Sequence, residues 1–216
     1  MMRSNKGYTL TETLVSATLT TLVLGAIVLA TQRGIGLFEE SSANSEINSR
    51  ASRTCYRVLE DLRGAGAGSI FPDLTTPAGG PVTWSSTIDF RQADQWQAGA
   101  VVWGPLLRIG MELAPGELDN GLDDNGNGLI DEQIVVRTEN PGAADERRIV
   151  LVSDVRELAE GELPNAVDDN GNGLVDESGL SFDLQDGVLT MRMSLEALGP
   201  AGPITRTQET TLALRN

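Results

Sequence analysis

Between Thr13 and Gln32 the chain runs for twenty residues without a charge, and the residue just before that run is an acid, Glu12. At ~1.5 Å per helical residue, such a run spans the ~30 Å hydrocarbon core of a bilayer. A carboxylate at depth in that layer costs roughly 2.5 kcal/mol or more without a partner, so an acid placed here reads as functional, with an amine as its natural partner. Hydroxyls crowd the same segment, at Thr9, Thr11, Thr13, Thr18, Thr20 and Thr21. They can bond back to carbonyls of the preceding turn or join helix to helix, and the sequence leaves both open.

Ahead of the apolar run stand Met1-Met-Arg-Ser-Asn-Lys-Gly7 and then Tyr8-Thr-Leu-Thr-Glu12-Thr-Leu-Val. A basic leader ending in glycine, an aromatic residue, an acid and a long apolar helix, in that order, resemble a type IV prepilin. The resemblance implies that a membrane-embedded prepilin peptidase cuts after Gly7 and methylates the new amine of Tyr8. It also implies that Glu12 is the assembly residue, paired with the amine of a neighbouring subunit in a filament. The competing reading is an ordinary secretory signal, with Arg3 and Lys6 as its basic region and Val28-Leu29-Ala30 as its cleavage site. Glu12, the threonines and a helical pattern that continues past Ala30 weigh against it.

The spacing predicts one helix from about Thr9 to Arg63. In its second half Leu37, Ile47, Ala51, Cys55, Val58 and Leu62 recur largely every three or four residues, with Glu39, Glu40, Glu46, Arg50, Arg53, Arg57 and Glu60 on the polar face. Gly64-Ala-Gly-Ala-Gly68 ends it, and Phe71 to Pro81 reads as loop. Strands are predicted at Val82–Phe90, Ala98–Ile109, Gln133–Thr138, Arg147–Val152, Leu180–Leu184, Val188–Leu195 and Ile204–Leu214. The clearest pair alternates into and out of an Asp186-Gly187 turn, a strong hairpin signal. The expected fold class is therefore α+β, a long N-terminal helix packed on an antiparallel β-sheet domain. The expected organisation is a leader at 1–7, a membrane or filament-core half of the helix at 8–32, an amphipathic half at 33–63 and a sheet domain at 64–216.

That architecture is also what the pilin resemblance implies. Within the family, the helix end Cys55-Tyr-Arg-Val-Leu-Glu-Asp-Leu-Arg63 and the closing Thr211-Leu-Ala-Leu-Arg-Asn216 look like J-type minor pseudopilins of type II secretion and W-type minor pilins. Glu12 argues against the K-type tip pseudopilin, which characteristically lacks the early glutamate.

Composition narrows the chemistry. Lys and Arg number 16 against 31 Asp and Glu, a formal charge of −15, and loss of the leader would take Arg3 and Lys6 and no acid. Nucleic acid and anionic membrane surfaces are poor partners for such a chain. Cys55 is the only cysteine, which rules out an internal disulfide and suits a buried small side chain. Histidine is absent, which removes imidazole acid–base chemistry, serine triads and histidine metal sites, and lowers the case for an enzyme.

A repeat supplies the second motif. Asp123-Asp-Asn-Gly-Asn-Gly-Leu-Ile-Asp-Glu132 recurs 45 residues later as Asp168-Asp-Asn-Gly-Asn-Gly-Leu-Val-Asp-Glu177. Oxygen ligands at positions one, three and five, glycine at six, a carbonyl at seven and an acid at nine follow the spacing of an EF-hand-like calcium loop. On that register Asp123, Asn125, Asn127, the Leu129 carbonyl and Asp131 hold one ion; Asp168, Asn170, Asn172, the Leu174 carbonyl and Asp176 hold another. Position twelve, a bidentate glutamate in an EF-hand, is Ile134 or Gly179 here. Glu132 and Glu177 at position ten are the available substitutes, as in the thrombospondin type 3-like loops that the copies resemble. No helical pattern flanks either copy, so two calcium loops, at 119–132 and 164–177, are expected between strands. Polar turns without an ion are the plain alternative.

The expectation from these readings is a non-enzymatic filament subunit, a minor pilin or pseudopilin. It is processed by prepilin peptidase, held first in bacterial inner-membrane lipid with its globular domain outside the cytoplasm, and assembled with other pilins or pseudopilins through the stem helix. Two calcium ions stabilise it. The alternative is a membrane-anchored or secreted calcium-dependent adhesive or binding module.

Overall fold

The computed structural model describes residue 7, residues 9–74 and residues 82–214. The leader residues 1–6, Tyr8 and the second half of the expected 71–81 loop lie outside these. The chain divides into two compact units, Met1–Ser42 and Ala43–Asn216.

One helix, α1, runs from Leu10 to Arg63. In the first unit it is long and apolar enough to cross a membrane, with a mean hydropathy of 2.1 over its best window and no side chain buried among the described residues. The hydroxyls of Thr18, Thr20, Thr21 and Thr31 each donate to the carbonyl four residues back, at 2.8–2.9 Å. These four hydroxyls thus donate within their own helix, the first of the two arrangements that the sequence leaves open.

In the second unit the helix presents Ile47, Ala51, Cys55, Val58 and Leu62 to the core. Each large apolar side chain so buried contributes roughly 1.5–3 kcal/mol. Leu37, expected in the same stripe, is 67% exposed and belongs to the first unit. The stripe breaks at Glu40, Ser41 and Asn44, where the helical register would need apolar residues. Cys55 is free and buried, and burial pushes its thiol up to about 11, so it packs as a small hydrophobe.

Eight strands follow: β1 Trp84–Ser85, β2 Ile88–Gln97, β3 Ala100–Leu113, β4 Gln133–Glu139, β5 Arg147–Val155, β6 Leu180–Gln185, β7 Val188–Gly199 and β8 Gly202–Ala213. All their pairings are antiparallel, in the order β1-β6-β7-β5-β4-β3-β2, with β8 also on β7. The molecule is α+β, with a sheet more extended than the sequence indicated. The expected strand Val82–Phe90 is broken by Ser85, whose hydroxyl donates to the Thr87 carbonyl and accepts its amide. Asp186 and Gly187 carry φ of 51° and 77°, the left-handed pair that a tight hairpin turn requires.

The helix stripe meets Ile88, Phe90, Leu107, Ile109, Val135, Phe182, Met191 and Met193 in one core. Polar ties flank it: Arg50 Nη2 donates to Asp154 Oδ2 at 2.7 Å, and Arg137 Nε to Asp61 Oδ2 at 2.9 Å. The two repeat copies connect β3 to β4 and β5 to β6, so both are loops between strands, and each begins and ends at the sheet.

Candidate functional site

In the first loop Asp123 organises the tip. Its carboxylate accepts backbone N–H bonds from Gly126 at 2.6 Å, Asn127 at 3.1 Å and Gly128 at 2.8 Å. Gly126 and Gly128, at φ of 77° and 90°, allow the chain to curl around that acid. Asp131 straps the loop from the other side by accepting the amides of Asn120 at 3.1 Å and Gly121 at 2.7 Å. The Leu129 side chain is buried and anchors the loop to the domain.

Under this tip several oxygen-bearing side chains converge. Asn125 Nδ2 and Asn127 Nδ2 both donate to the same atom, Glu132 Oε1, at 2.6 Å each. The Asn125 amide donates to Glu117 Oε1 at 2.9 Å. Glu117 and Glu132 are only 5% and 1% exposed, and in each the second oxygen, Oε2, is buried with no hydrogen-bond partner. Neither forms an ion pair among the described residues. Buried carboxylates are normally paired or bound to a cation, and two in one loop with spare oxygens are costly without one.

The second loop repeats the arrangement with independent residues. Asp168 accepts from Gly171, Asn172 and Gly173 at 2.7, 3.2 and 2.9 Å, and Asp176 accepts from Ala166 at 2.8 Å. Asn170 Nδ2 and Asn172 Nδ2 converge on Glu177 Oε1 at 2.8 and 2.5 Å, and the Asn170 amide donates to Glu162 Oε1 at 3.0 Å. Glu177 is fully buried and its Oε2 has no partner. Glu162, 4% exposed, differs from its counterpart because its Oε2 accepts the Asp176 amide at 3.2 Å. Leu174 is buried like Leu129.

Of the residues expected to ligate, Asn125, Asn127 and Glu132, and Asn170, Asn172 and Glu177, are brought together. Asp123 and Asp168 face the backbone nest of their own turns. Asp131 and Asp176 are turned to the amides of the preceding segment, and Asp131 also lies with Asp119 and Glu157 in an acidic group whose oxygens fall within 4.8 Å of one another. Sequence reasoning missed Glu117 and Glu162. The signal was present, since the repeat begins earlier, as Ala114-Pro-Gly-Glu-Leu-Asp-Asn120 and Ala159-Glu-Gly-Glu-Leu-Pro-Asn165. Gly116 and Gly161 share φ of 95° and 89° there, and the Ala114 and Ala159 amides close the loop bases onto the Glu132 and Glu177 carbonyls at 3.0 and 2.9 Å.

The empty position twelve also acquires a reason. Ile134 is a buried residue of β4, packed with Ala114 and Val136. A Cβ on Gly179 would lie 2.0 Å from the Arg156 carbonyl oxygen. The sheet occupies both places, so the last ligand of an EF-hand cannot come from there.

At the other functional motif, Gly7 is exposed and Tyr8 lies outside the described residues. Glu12 Oε2 accepts the Thr9 amide at 2.8 Å and the Thr9 hydroxyl at 2.9 Å, while the Glu12 amide donates to Thr9 Oγ1 at 3.3 Å. This is a capping box at the helix start, a role for Glu12 that the Thr9-x-x-Glu12 spacing encodes. No family model, curated protein or solved structure matches this chain.

Proposed function

We propose that the chain is a filament subunit of the type IV pilin kind, a minor pilin or pseudopilin, whose exposed domain is stiffened by two calcium ions. One observation carries the proposal: a single helix is apolar and unburied over its first half, is headed by Glu12, and supplies a core stripe over its second half. The first half has no use for its apolar surface except lipid or other such helices. On this reading prepilin peptidase cuts between Gly7 and Tyr8, the subunit waits in the bacterial inner membrane with its domain outside the cytoplasm, and the stem packs against neighbouring pilins in the filament.

The second reading, an anchored or secreted calcium-dependent adhesive module, draws on the capping box, which gives Glu12 a purely local duty. Glu12→Gln separates the two, because glutamine preserves the box and removes the charge. The filament reading expects normal insertion and cleavage with at least a tenfold loss of the variant from sheared filaments. Absence of the wild-type chain from sheared filaments would favour the anchor, and equal recovery of Glu12→Gln and wild type there would deny Glu12 its assembly role.

A further inference from the structure

We infer that Glu117 and Glu162 complete the two calcium sites, each acting with the glutamate at the end of its loop, and that the first site binds the ion more tightly than the second. The inference rests on the calcium reading above and specifies which oxygens hold the ion.

The EF-hand register leaves each loop without its strongest ligand, since Ile134 and Gly179 are taken by the sheet. A calcium ion takes six to eight oxygens and favours at least one bidentate carboxylate. In the first loop the spare buried oxygens are Glu117 Oε2 and Glu132 Oε2. The two residues are tied to one cluster by Asn125, whose amide meets Glu117 Oε1 while its side chain meets Glu132 Oε1. The side-chain nitrogens of Asn125 and Asn127 now occupy the space at Glu132 Oε1. Their side-chain oxygens accept the Asn127 and Leu129 amides at 2.9 and 2.8 Å, and each of these oxygens keeps a second lone pair for an ion. The ion then sits at the loop base, where it joins the segment leaving β3 to the segment starting β4.

The second loop has the same framework with less to offer. Glu162 Oε2 already accepts the Asp176 amide, which leaves Glu177 Oε2 as its one orphan buried oxygen. A cavity of about 260 Å³ opens beside Asn170, Asn172 and Glu177, and Arg192 lines it too. Arg192, ion-paired with Asp183 and Glu209, shares that lining with Glu160 and Glu209, so its charge is offset there. With fewer free carboxylate oxygens, the second site is the weaker of the two.

The test is calcium titration by calorimetry on the full chain in detergent, with terbium luminescence to tell the sites apart. Trp84 Nε1 donates to the Val175 carbonyl at 3.1 Å, so terbium sensitised by Trp84 reports the second loop. Wild type should bind two ions with affinities at least tenfold apart, the Trp84 signal following the weaker. Glu117→Gln keeps an acceptor for the Asn125 amide and should weaken the tighter site tenfold or more while leaving the Trp84 signal unchanged. Glu162→Gln should weaken only the site that Trp84 reports. Two ions bound with unaltered affinity in both variants would overturn the ligand assignment and leave the calcium reading standing. Equal affinities in wild type, or a Trp84 signal that follows the tighter ion, would overturn the ranking. No calcium bound by wild type would overturn the reading on which the inference rests.

Discussion

A Cβ at Gly179 would come within 2.0 Å of the Arg156 carbonyl oxygen, and the Gly179 amide and carbonyl are both engaged, with Glu157 and Ser194. Neither backbone can retreat without breaking those bonds, so Gly179→Ala should destabilise the domain by about 2 kcal/mol or more. Thermal melting measures it; a variant that melts within a degree of wild type would show that the contact relaxes freely. At this scale the sequence was legible where identity repeats. The Asp, Asn and Gly residues of both tips stand out, and their turns fold as such residues favour. Glu117 and Glu162 were hidden because they stand six residues before the repeated decapeptides, at the strand side of the loop, where only the fold shows that they turn back under the tip. In the sequence Thr9 is one of several hydroxyls, and its partnership with Glu12 emerges only with the helix start in place.

Strands were readable from alternation wherever one face enters the core, as in β6 and β7 around the Asp186-Gly187 turn. The reading failed where local bonding or an unusual turn intervened. Ser85 interrupts one expected strand, and the β2–β3 hairpin turns on Ala98-Gly99, at φ of 51° and 83°, a pair that carries no Asn-Gly or Asp-Gly signature. The loops behave as elements in their own right, closed at the base by Ala114 and Ala159 and held by their Leu129 and Leu174 anchors. Ions that bind only the folded loops stabilise them by mass action, about 2.7 kcal/mol per site at a hundredfold excess over the dissociation constant. Chelator should therefore lower the melting temperature of the full chain in detergent and open both loops to protease. A melting temperature and a cleavage pattern indifferent to chelator would return the loops to plain polar turns.

Over the whole chain, two units carry two kinds of chemistry: a helical unit whose apolar residues stand unburied, and an acidic α+β unit with both repeated loops at one end of its strands. The α+β class was accessible from the change of period, 3.6 in the helix and 2 in the strands, because each pattern has one solution that hides its apolar face. The sheet order was not accessible, since β7 pairs with β5, β6 and β8 and no local pattern records such non-local neighbours. The central claim concerns what the helix start becomes in the cell, and the intact mass of the protein purified from its native membrane tests it most directly. The filament-subunit account predicts a mature chain that begins at Tyr8 and carries one methyl group on its amine. A mass corresponding to cleavage after Ala30, or to a chain that keeps residues 1–7, would contradict it.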